Sequence, residues 1–249
     1  MLIKSYIGKI LNGVKPLKDY IISASAFIVL AYSCYFVFSE NIISKLGEED
    51  ELFEYLTAIF FLFTSIFFIV IFCLKKKIIY LFFFMIFFVG MGEEISWGQR
   101  ILNFNTPEYF EKNNVQDEFN FHNLLFFNAM DFEGSLKTGF SKLLSVNFLY
   151  KLFWLFYCVL LPVIYPFFHF VRVIVKKIDL PVPPFSLGIL FMINWLIFRV
   201  TLSFLLPLNR SLQYYDTSTE ICECCSAFLF MILSLYFLQV IREAMKQIL

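Results

Sequence analysis

Two adjacent carboxylates stand at the end of a long apolar run, in the stretch GEEISWGQR at residues 92–100. An almost purely apolar run from 78 to 91 precedes this stretch. The side chains that could take part in chemistry are those of Glu93, Glu94, Gln99 and Arg100. Carboxylates can exchange protons and arginine can hold an anion, so these side chains suit acid–base or group-transfer chemistry. An ionised carboxylate near hydrocarbon is costly unless it is paired or hydrated. We therefore expect these residues to face a bundle interior or an aqueous cavity.

A continuous helix through this stretch would align several of its side chains, because residues three, four and seven positions apart share one helix face. The residues with those spacings are Glu93, Ser96, Trp97 and Arg100, while Glu94 points aside. The alternative interpretation is that the helix only reaches the membrane surface here. In that case Trp97 lies in the interface and Glu93 pairs with Arg100.

Further ionisable candidates lie elsewhere in the chain and are His122, Arg199, Arg210, Glu220 and Glu223. Arg199 stands inside an apolar run, where a charge is expected to have a partner. Glu220 and Glu223 share one face at the start of the last apolar run. Glu220 also has a simpler interpretation, because Thr217 stands three residues earlier and the two would form a helix-capping box.

The composition is that of a membrane protein. Of the 249 residues, 60% are hydrophobic and 36 are phenylalanine, and the mean hydropathy is +0.75. A helix needs about 20 residues to cross the hydrocarbon core. We therefore predict an all-α polytopic membrane protein with a single domain over 1–249 and spans at about 20–38, 55–74, 78–100, 149–171, 185–206 and 218–240.

The positions of lysine and arginine predict the orientation, because short cytoplasmic loops carry an excess of both. With these spans, the basic residues collect on one side, before the first span and near 75–77, 172–177 and 242–246. We expect both termini to be cytoplasmic in a plasma (inner) membrane, with all the candidate residues near the outer face. The net charge of zero gives no sign of nucleic-acid binding.

The long segment from about 103 to 148 is predicted to lie on the outer surface as interfacial helix and loop. The sequence TPE at 106–108 is typical of a helix start, and 121–130 has the aromatic content of a short interfacial helix. Between them, polar residues alternate over 114–122, as in an extended segment laid against a polar site. The alternative is an ordinary solvated loop.

Three blocks resemble, in order and spacing, a group of uncharacterised bacterial multipass membrane proteins. They are GEEISWGQR at 92–100, TP at 106–107 and NVQDEFNFHN, of the form NxQxExNxHN, at 114–123. The resemblance implies a polytopic membrane protein whose site is built from these blocks. It does not imply a particular reaction.

The available side chains limit the chemistry. The chain has 2 histidines and the predicted topology puts only His122 at the outer face, which is too few for haem, copper or di-iron. A divalent cation (Mg, Mn, Ca or Zn) could be held by Glu94, His122, Glu220 and Glu223. Without a metal, Glu93 or Glu94 would serve as general base, His122 as general acid and the arginines as an anion clamp.

These observations lead to an expected function and a competing one. We expect an integral membrane enzyme that acts at the outer face on a membrane lipid or lipid-linked substrate, by hydrolysis or group transfer. The competing expectation is a non-enzymatic channel, sensor or membrane subunit of a larger system with a polar outer vestibule. An oligomer or a partner protein is compatible with either function.

Overall fold

A computed structural model describes residues 17–48, 51–128, 137–205 and 211–247. Within these ranges the protein is all-α, and the β pairing is limited to an isolated bridge between Asn114 and Leu124. The helices are α1 (Leu17–Val37), α2 (Glu40–Leu46), α3 (Leu52–Lys75), α4 (Ile78–Glu94), a 3-10 turn (Ser96–Gly98), α5 (Gln99–Leu102), α6 (Glu108–Asn113), α7 (Phe140–Leu143), α8 (Val146–Trp154), a π-helical turn (Leu155–Leu160), α9 (Leu161–Ile164), α10 (His169–Ile178), α11 (Phe185–Leu205) and α12 (Leu212–Lys246).

The chain is a polytopic membrane protein, as its composition predicts. In the described ranges, 5 helices are long and apolar enough to cross a membrane, and they lie at Leu17–Val37, Leu52–Lys75, Val146–Ile164, Phe185–Leu205 and Tyr214–Lys246. A sixth span is formed if α4 is counted together with the bent segment Ser96–Leu102.

The last helix, α12, is central to the bundle and packs against α1, α3 and α11. The ring centroid of its Phe230 lies 4.9 Å from that of Phe87 in α4, 5.6 Å from Phe153 in α8 and 4.8 Å from Phe191 in α11. These rings belong to one continuous core. Because aromatic pairs at such distances pack closely, they fix the positions of the helices whose ends carry the polar residues.

The predicted third span, 78–100, is wrong beyond Glu94, because the helix bends by 67° there. Ser96, Trp97 and Gly98 have left-handed backbone conformations, with φ of 44°, 52° and 78°. A residue other than glycine rarely adopts such a φ unless its surroundings hold it. The side chains of Ser96 and Trp97 provide that support through hydrogen bonds to Glu118 and Glu93.

The predicted fourth span, 149–171, also ends too late. The helix runs only from Val146 to Ile164, and α10 is a separate helix of which the first residue is His169. Pro166 lies between the two helices and has no backbone N–H to continue the helical hydrogen bonds. His169 is therefore exposed beyond the span.

A close helix contact accompanies an irregularity in the fourth span. Pro162 has no N–H to donate to the carbonyl of Cys158 four residues earlier, and the helix is π-wound over Leu155–Leu160. A Cβ atom added to Gly188 of α11 would lie 1.9 Å from that same Cys158 oxygen. The two backbones therefore touch here, and the absence of a side chain at Gly188 permits the contact.

The sixth span begins earlier than the predicted 218. The N-cap is Ser211, whose Oγ accepts a hydrogen bond from Tyr214 N at 3.3 Å. Thr217 lies inside the helix and its Oγ1 donates to the Ile43 carbonyl at 2.8 Å. The predicted capping box of Thr217 and Glu220 is therefore wrong, because a side chain inside a helix has no free amide of a first turn to cap.

The segment predicted to lie on the outer surface is only partly helical. The helix α6 follows Pro107, but Thr106 does not cap it, since its hydroxyl donates to the Asp117 carbonyl at 2.5 Å. The chain from 114 to 124 forms a closed loop in which Val115 N donates to the Asn123 carbonyl at 3.0 Å. The helix predicted over 121–130 is absent from the described residues 121–128, which form turns.

An ion pair between Lys75 Nζ and Asp179 Oδ2, 3.5 Å apart, joins the α3–α4 and α10–α11 connections. Because α4 runs from this end to Glu94, the basic residues near 75–77 and 172–177 lie at the opposite end of α4 from Glu93. This is the separation that the predicted topology requires.

Candidate functional site

The bend after α4 is held by four polar side chains, here called the bend cluster. They are Ser96, Arg100, Glu118 and Asn120. The Glu118 carboxylate accepts hydrogen bonds from Ser96 Oγ at 2.8 Å and from Asn120 Nδ2 at 2.6 Å, and it forms an ion pair with Arg100. A buried carboxylate needs such donors to offset its lost hydration. The cluster therefore fastens the 114–124 loop to the bend, and Arg100 pairs with Glu118 rather than with Glu93.

Gln99 holds the next part of the same loop. Its Oε1 accepts the backbone N–H of Phe119 at 2.6 Å, and its Nε2 donates to Thr106 Oγ1 at 2.7 Å. Both ends of the amide are therefore engaged with main-chain or side-chain partners. Gln99 positions the loop, and no contact in the described structure joins it to Glu93 or His122.

The polar alternation over 114–122 is explained by what it faces. Asn114, Glu118 and Asn120 are buried, whereas Val115 and Phe121 are exposed by 44% and 47%. Asn114 Nδ2 donates to Asn120 Oδ1 at 2.8 Å, so the buried side is hydrogen-bonded. The prediction of an extended segment is wrong, because 114–124 is a loop of turns, but three of its polar side chains do lie against the bend, with Val115 and Phe121 outward.

Glu93 binds the end of the loop that carries the histidine. Its Oε2 accepts the backbone N–H of Phe121 at 2.6 Å and of His122 at 2.8 Å, and its Oε1 accepts Trp97 Nε1–H at 2.6 Å. The same Oε2 lies 3.4 Å from Nδ1 of His122. The side chain of Glu93 is 12% exposed and that of His122 is 35% exposed, so the carboxylate is covered while the imidazole remains accessible. A carboxylate beside Nδ1 leaves Nε2 as the nitrogen available for proton exchange.

A second set of carboxylates, here called the acidic group, comes from α3, α4 and α12. It consists of Glu54, Glu94, Glu220 and Glu223. Glu94 lies within electrostatic range of the other three and of Glu93. Glu223 also lies within electrostatic range of His122 and Lys151. His122 is therefore near both Glu93, which it contacts, and Glu223 of the acidic group.

The predicted metal ligands are brought into one region but do not form a coordination site. Among the described residues, no group of three or more His, Cys, Asp or Glu side chains could hold a metal ion. Glu94 lies within electrostatic range of Glu220 and Glu223, and Glu223 within range of His122, and this pattern does not require a shared ion.

The two remaining predicted residues do not join the site. Arg199 is exposed on α11, and no contact in the described ranges connects it with Glu93, Glu94 or His122. A long arginine side chain can extend toward the polar interface while its apolar stem covers the helix, which explains why it needs no buried partner. Arg210 lies outside the described residues.

Several residues of the site were not singled out by the sequence. They are Glu54, Tyr150, Lys151 and Asn194. Asn194 gave the clearest signal, because a lone amide in an apolar helix must find partners. Tyr150 gave little signal, since tyrosine is common at membrane interfaces.

No protein-family description, curated protein or solved structure matches the chain. The site itself combines an accessible imidazole, a covered carboxylate that contacts it and further carboxylates within electrostatic range, a set suited to proton transfer.

Proposed function

We propose that the protein is an integral membrane enzyme that uses His122 to move protons during hydrolysis or group transfer on a membrane lipid or lipid-linked substrate. The single observation that carries the proposal is the contact of Glu93 with both the backbone N–H and Nδ1 of His122. A carboxylate that positions a histidine and lies beside its Nδ1 leaves Nε2 to act as a general base and acid.

The roles follow from the order of these groups. Glu93 orients His122, and Nε2 of His122 accepts a proton from the attacking water or substrate hydroxyl. The new bond forms at a carbonyl or phosphorus centre, the bond to the leaving oxygen breaks, and His122 returns the proton to that oxygen. Glu223 lies within electrostatic range of His122, and Glu94 lies within range of Glu223. Negative charge on these carboxylates would stabilise the imidazolium that forms on His122 in the transition state.

The surface beside the site supports a lipid substrate. Ile101 and Leu102 on α5 are exposed by 65% and 72%, and Phe121 and Phe126 on the loop are exposed by 47% and 62%. A cluster of exposed apolar side chains such as this one is favourable where lipid hydrocarbon covers it. A substrate that keeps its acyl or prenyl chain in the bilayer would bring its polar group toward His122 from this side.

The proposed location is the plasma (inner) membrane, with both termini cytoplasmic and the His122 site at the outer face. The ion pair of Lys75 and Asp179 supports this orientation. It joins two connections that carry basic residues, and both lie at the end of the bundle opposite Glu93. An oligomer or a partner protein is compatible with this arrangement.

A second candidate function is an ion pathway, and the acidic group favours it. Three carboxylates within electrostatic range of Glu94 would, when ionised, attract cations at the mouth of a bundle. In that case His122 and Lys151 would set the local charge rather than catalyse a reaction.

One experiment separates these two functions. Purified protein is reconstituted in liposomes that contain a phospholipid and a polyprenyl diphosphate, products are followed by mass spectrometry and ion flux is recorded in parallel. The enzyme proposal predicts a product that His122→Gln abolishes, without ion conductance. Ion conductance without any product would overturn it in favour of the pathway.

A further inference from the structure

The interior of the bundle contains polar atoms that no described protein group satisfies. They are Tyr32 Oη of α1, Tyr150 Oη of α8 and Asn194 Oδ1 of α11. All three side chains meet the same turn of α12, between Cys222 and Ser226. Their convergence from three helices on one turn indicates a common cause.

Asn194 is completely buried and its orientation is fixed. Its Nδ2 donates to the Cys222 carbonyl at 2.9 Å and to Ser226 Oγ at 3.0 Å. Because the amide nitrogen is anchored by these two acceptors, the amide cannot rotate to satisfy Oδ1 without losing both bonds. Oδ1 is therefore held as an acceptor in the interior.

The two tyrosine hydroxyls approach the same turn from other helices. Tyr32 is 6% exposed and interacts with Cys222 and Cys225, while Tyr150 interacts with Ser226 and Glu223. Neither hydroxyl reaches hydrogen-bonding geometry with a described residue. A hydroxyl can donate and accept, and the Asn194 oxygen accepts, so the set offers complementary groups to a small polar ligand.

An unsatisfied polar atom in a protein interior loses its hydration without compensation, and native structures rarely retain such atoms. Internal water is the usual solution where several of them face one polar space, because a buried water molecule makes about three hydrogen bonds. These three groups carry no formal charge and include both donors and acceptors, which suits a neutral ligand such as water.

We infer that Tyr32, Tyr150 and Asn194 bind internal water beside Cys222 and Ser226, and that this water continues the polar site from Glu223 into the membrane-spanning bundle. The inference does not depend on the proposed enzyme function, because an ion pathway would use the same water.

The first test is X-ray radiolytic footprinting of the full chain in nanodiscs, read by mass spectrometry. Bound water generates hydroxyl radicals in place and oxidises the ring beside it. The expected result is that Tyr32 is oxidised several-fold faster than Tyr80, which is 3% exposed and therefore at least as well buried. Oxidation of Tyr32 no faster than that of Tyr80 would overturn the inference.

The second test uses the sign of a stability change. Tyr32→Phe removes one oxygen. If that oxygen binds water, the melting temperature should fall by about 2–4 °C, as expected for one lost hydrogen bond in a chain of this size. The matched control is Tyr157→Phe, which removes a hydroxyl that donates to the Pro181 carbonyl at 2.9 Å. A melting temperature that rises or stays unchanged with Tyr32→Phe, while Tyr157→Phe lowers it, would show a dry pocket and refute the inference.

Discussion

The Glu93 carboxylate holds His122 twice, through the backbone N–H at 2.8 Å and through the ring Nδ1 at 3.4 Å. One side chain at the end of α4 thus positions this part of the loop and places a carboxylate beside its imidazole. Because the same oxygen also binds the N–H of Phe121, this short stretch of loop depends on a single acceptor.

The first prediction concerns this acceptor. Glu93→Gln keeps the shape of the side chain but removes its charge, and hydrogen bonds to a charged acceptor are stronger by roughly 1 kcal/mol. We expect the amides of Phe121 and His122 to exchange hydrogen for deuterium about five- to tenfold faster. The control is Glu111→Gln, an exposed carboxylate of α6, which should leave both rates unchanged. Equal rates in Glu93→Gln and in the unmodified protein would contradict the observed contacts.

The second prediction concerns the bend cluster. Arg100→Met removes a cation from the buried Glu118 carboxylate, which retains Ser96 and Asn120 as donors. We expect the free energy of unfolding to fall by about 1–3 kcal/mol, the usual cost when one partner of a buried charge is lost.

A matched variant for this comparison is Lys112→Met, which breaks the exposed ion pair of Lys112 with Glu108. That change should cost about 0.3–0.5 kcal/mol, because exposed pairs on one helix contribute little. Denaturant unfolding of both variants in the same detergent measures the difference. Similar losses in the two variants would show that Glu118 does not depend on Arg100.

The sequence predicts the features of this region that depend on neighbouring residues, but not those that depend on residues far away in the chain. Glu93 and His122 were both expected near one membrane face, because a buried charge in a membrane protein must find partners, and the structure places them in contact. The bend at Ile95 was not predicted, because it depends on hydrogen bonds from Ser96 and Trp97 to residues of which one is more than twenty positions away.

The same limit explains the misassigned partner of Arg100. Helix spacing favours Glu93, but the bend turns Arg100 toward Glu118. Thr217 was placed at a helix end because its spacing to Glu220 is that of a cap, whereas the helix begins at Leu212 and Thr217 bonds to Ile43. Local patterns thus located the apolar spans, while long-range hydrogen bonds set the bend after Glu94 and the partners of Arg100 and Thr217.

The third prediction tests the contact between α11 and the π-helical turn. Gly188→Ala would place a methyl group 1.9 Å from the Cys158 oxygen, so the two backbones must separate. We expect a loss of about 3 kcal/mol in stability, the upper part of the range for overpacking, and a smaller monodisperse fraction by size-exclusion chromatography.

Gly90→Ala is the control for this substitution, because its added methyl group would meet only the Phe61 ring, at 3.3 Å. Phe61 can shift by a few tenths of an ångström, whereas the Cys158 carbonyl belongs to a helix backbone. If both variants melt at the same temperature, the close approach at Gly188 does not limit packing.

The fourth prediction concerns the tryptophan that folds back on α4. A Cβ atom at Gly92 would lie 2.9 Å from the Trp97 ring, which donates to Glu93 at 2.6 Å. Gly92→Ala should displace the indole, remove this hydrogen bond and change the Trp97 fluorescence. The chain has 3 tryptophans, so the emission of Trp97 is obtained by subtracting the spectrum of Trp97→Phe from that of the unmodified protein. A spectrum identical to that of the unmodified protein would show that the ring does not pack on Gly92.

The most direct test of the central proposal is the turnover rate of His122→Gln, Glu93→Gln and the double variant in nanodiscs, with the product identified in the liposome assay. General acid–base catalysis contributes about 10²–10⁴-fold, so each single variant should lose a large part of the rate. Because the two residues act as one unit, the double variant should be little slower than His122→Gln alone. A His122→Gln protein that retains the full rate would contradict the proposal.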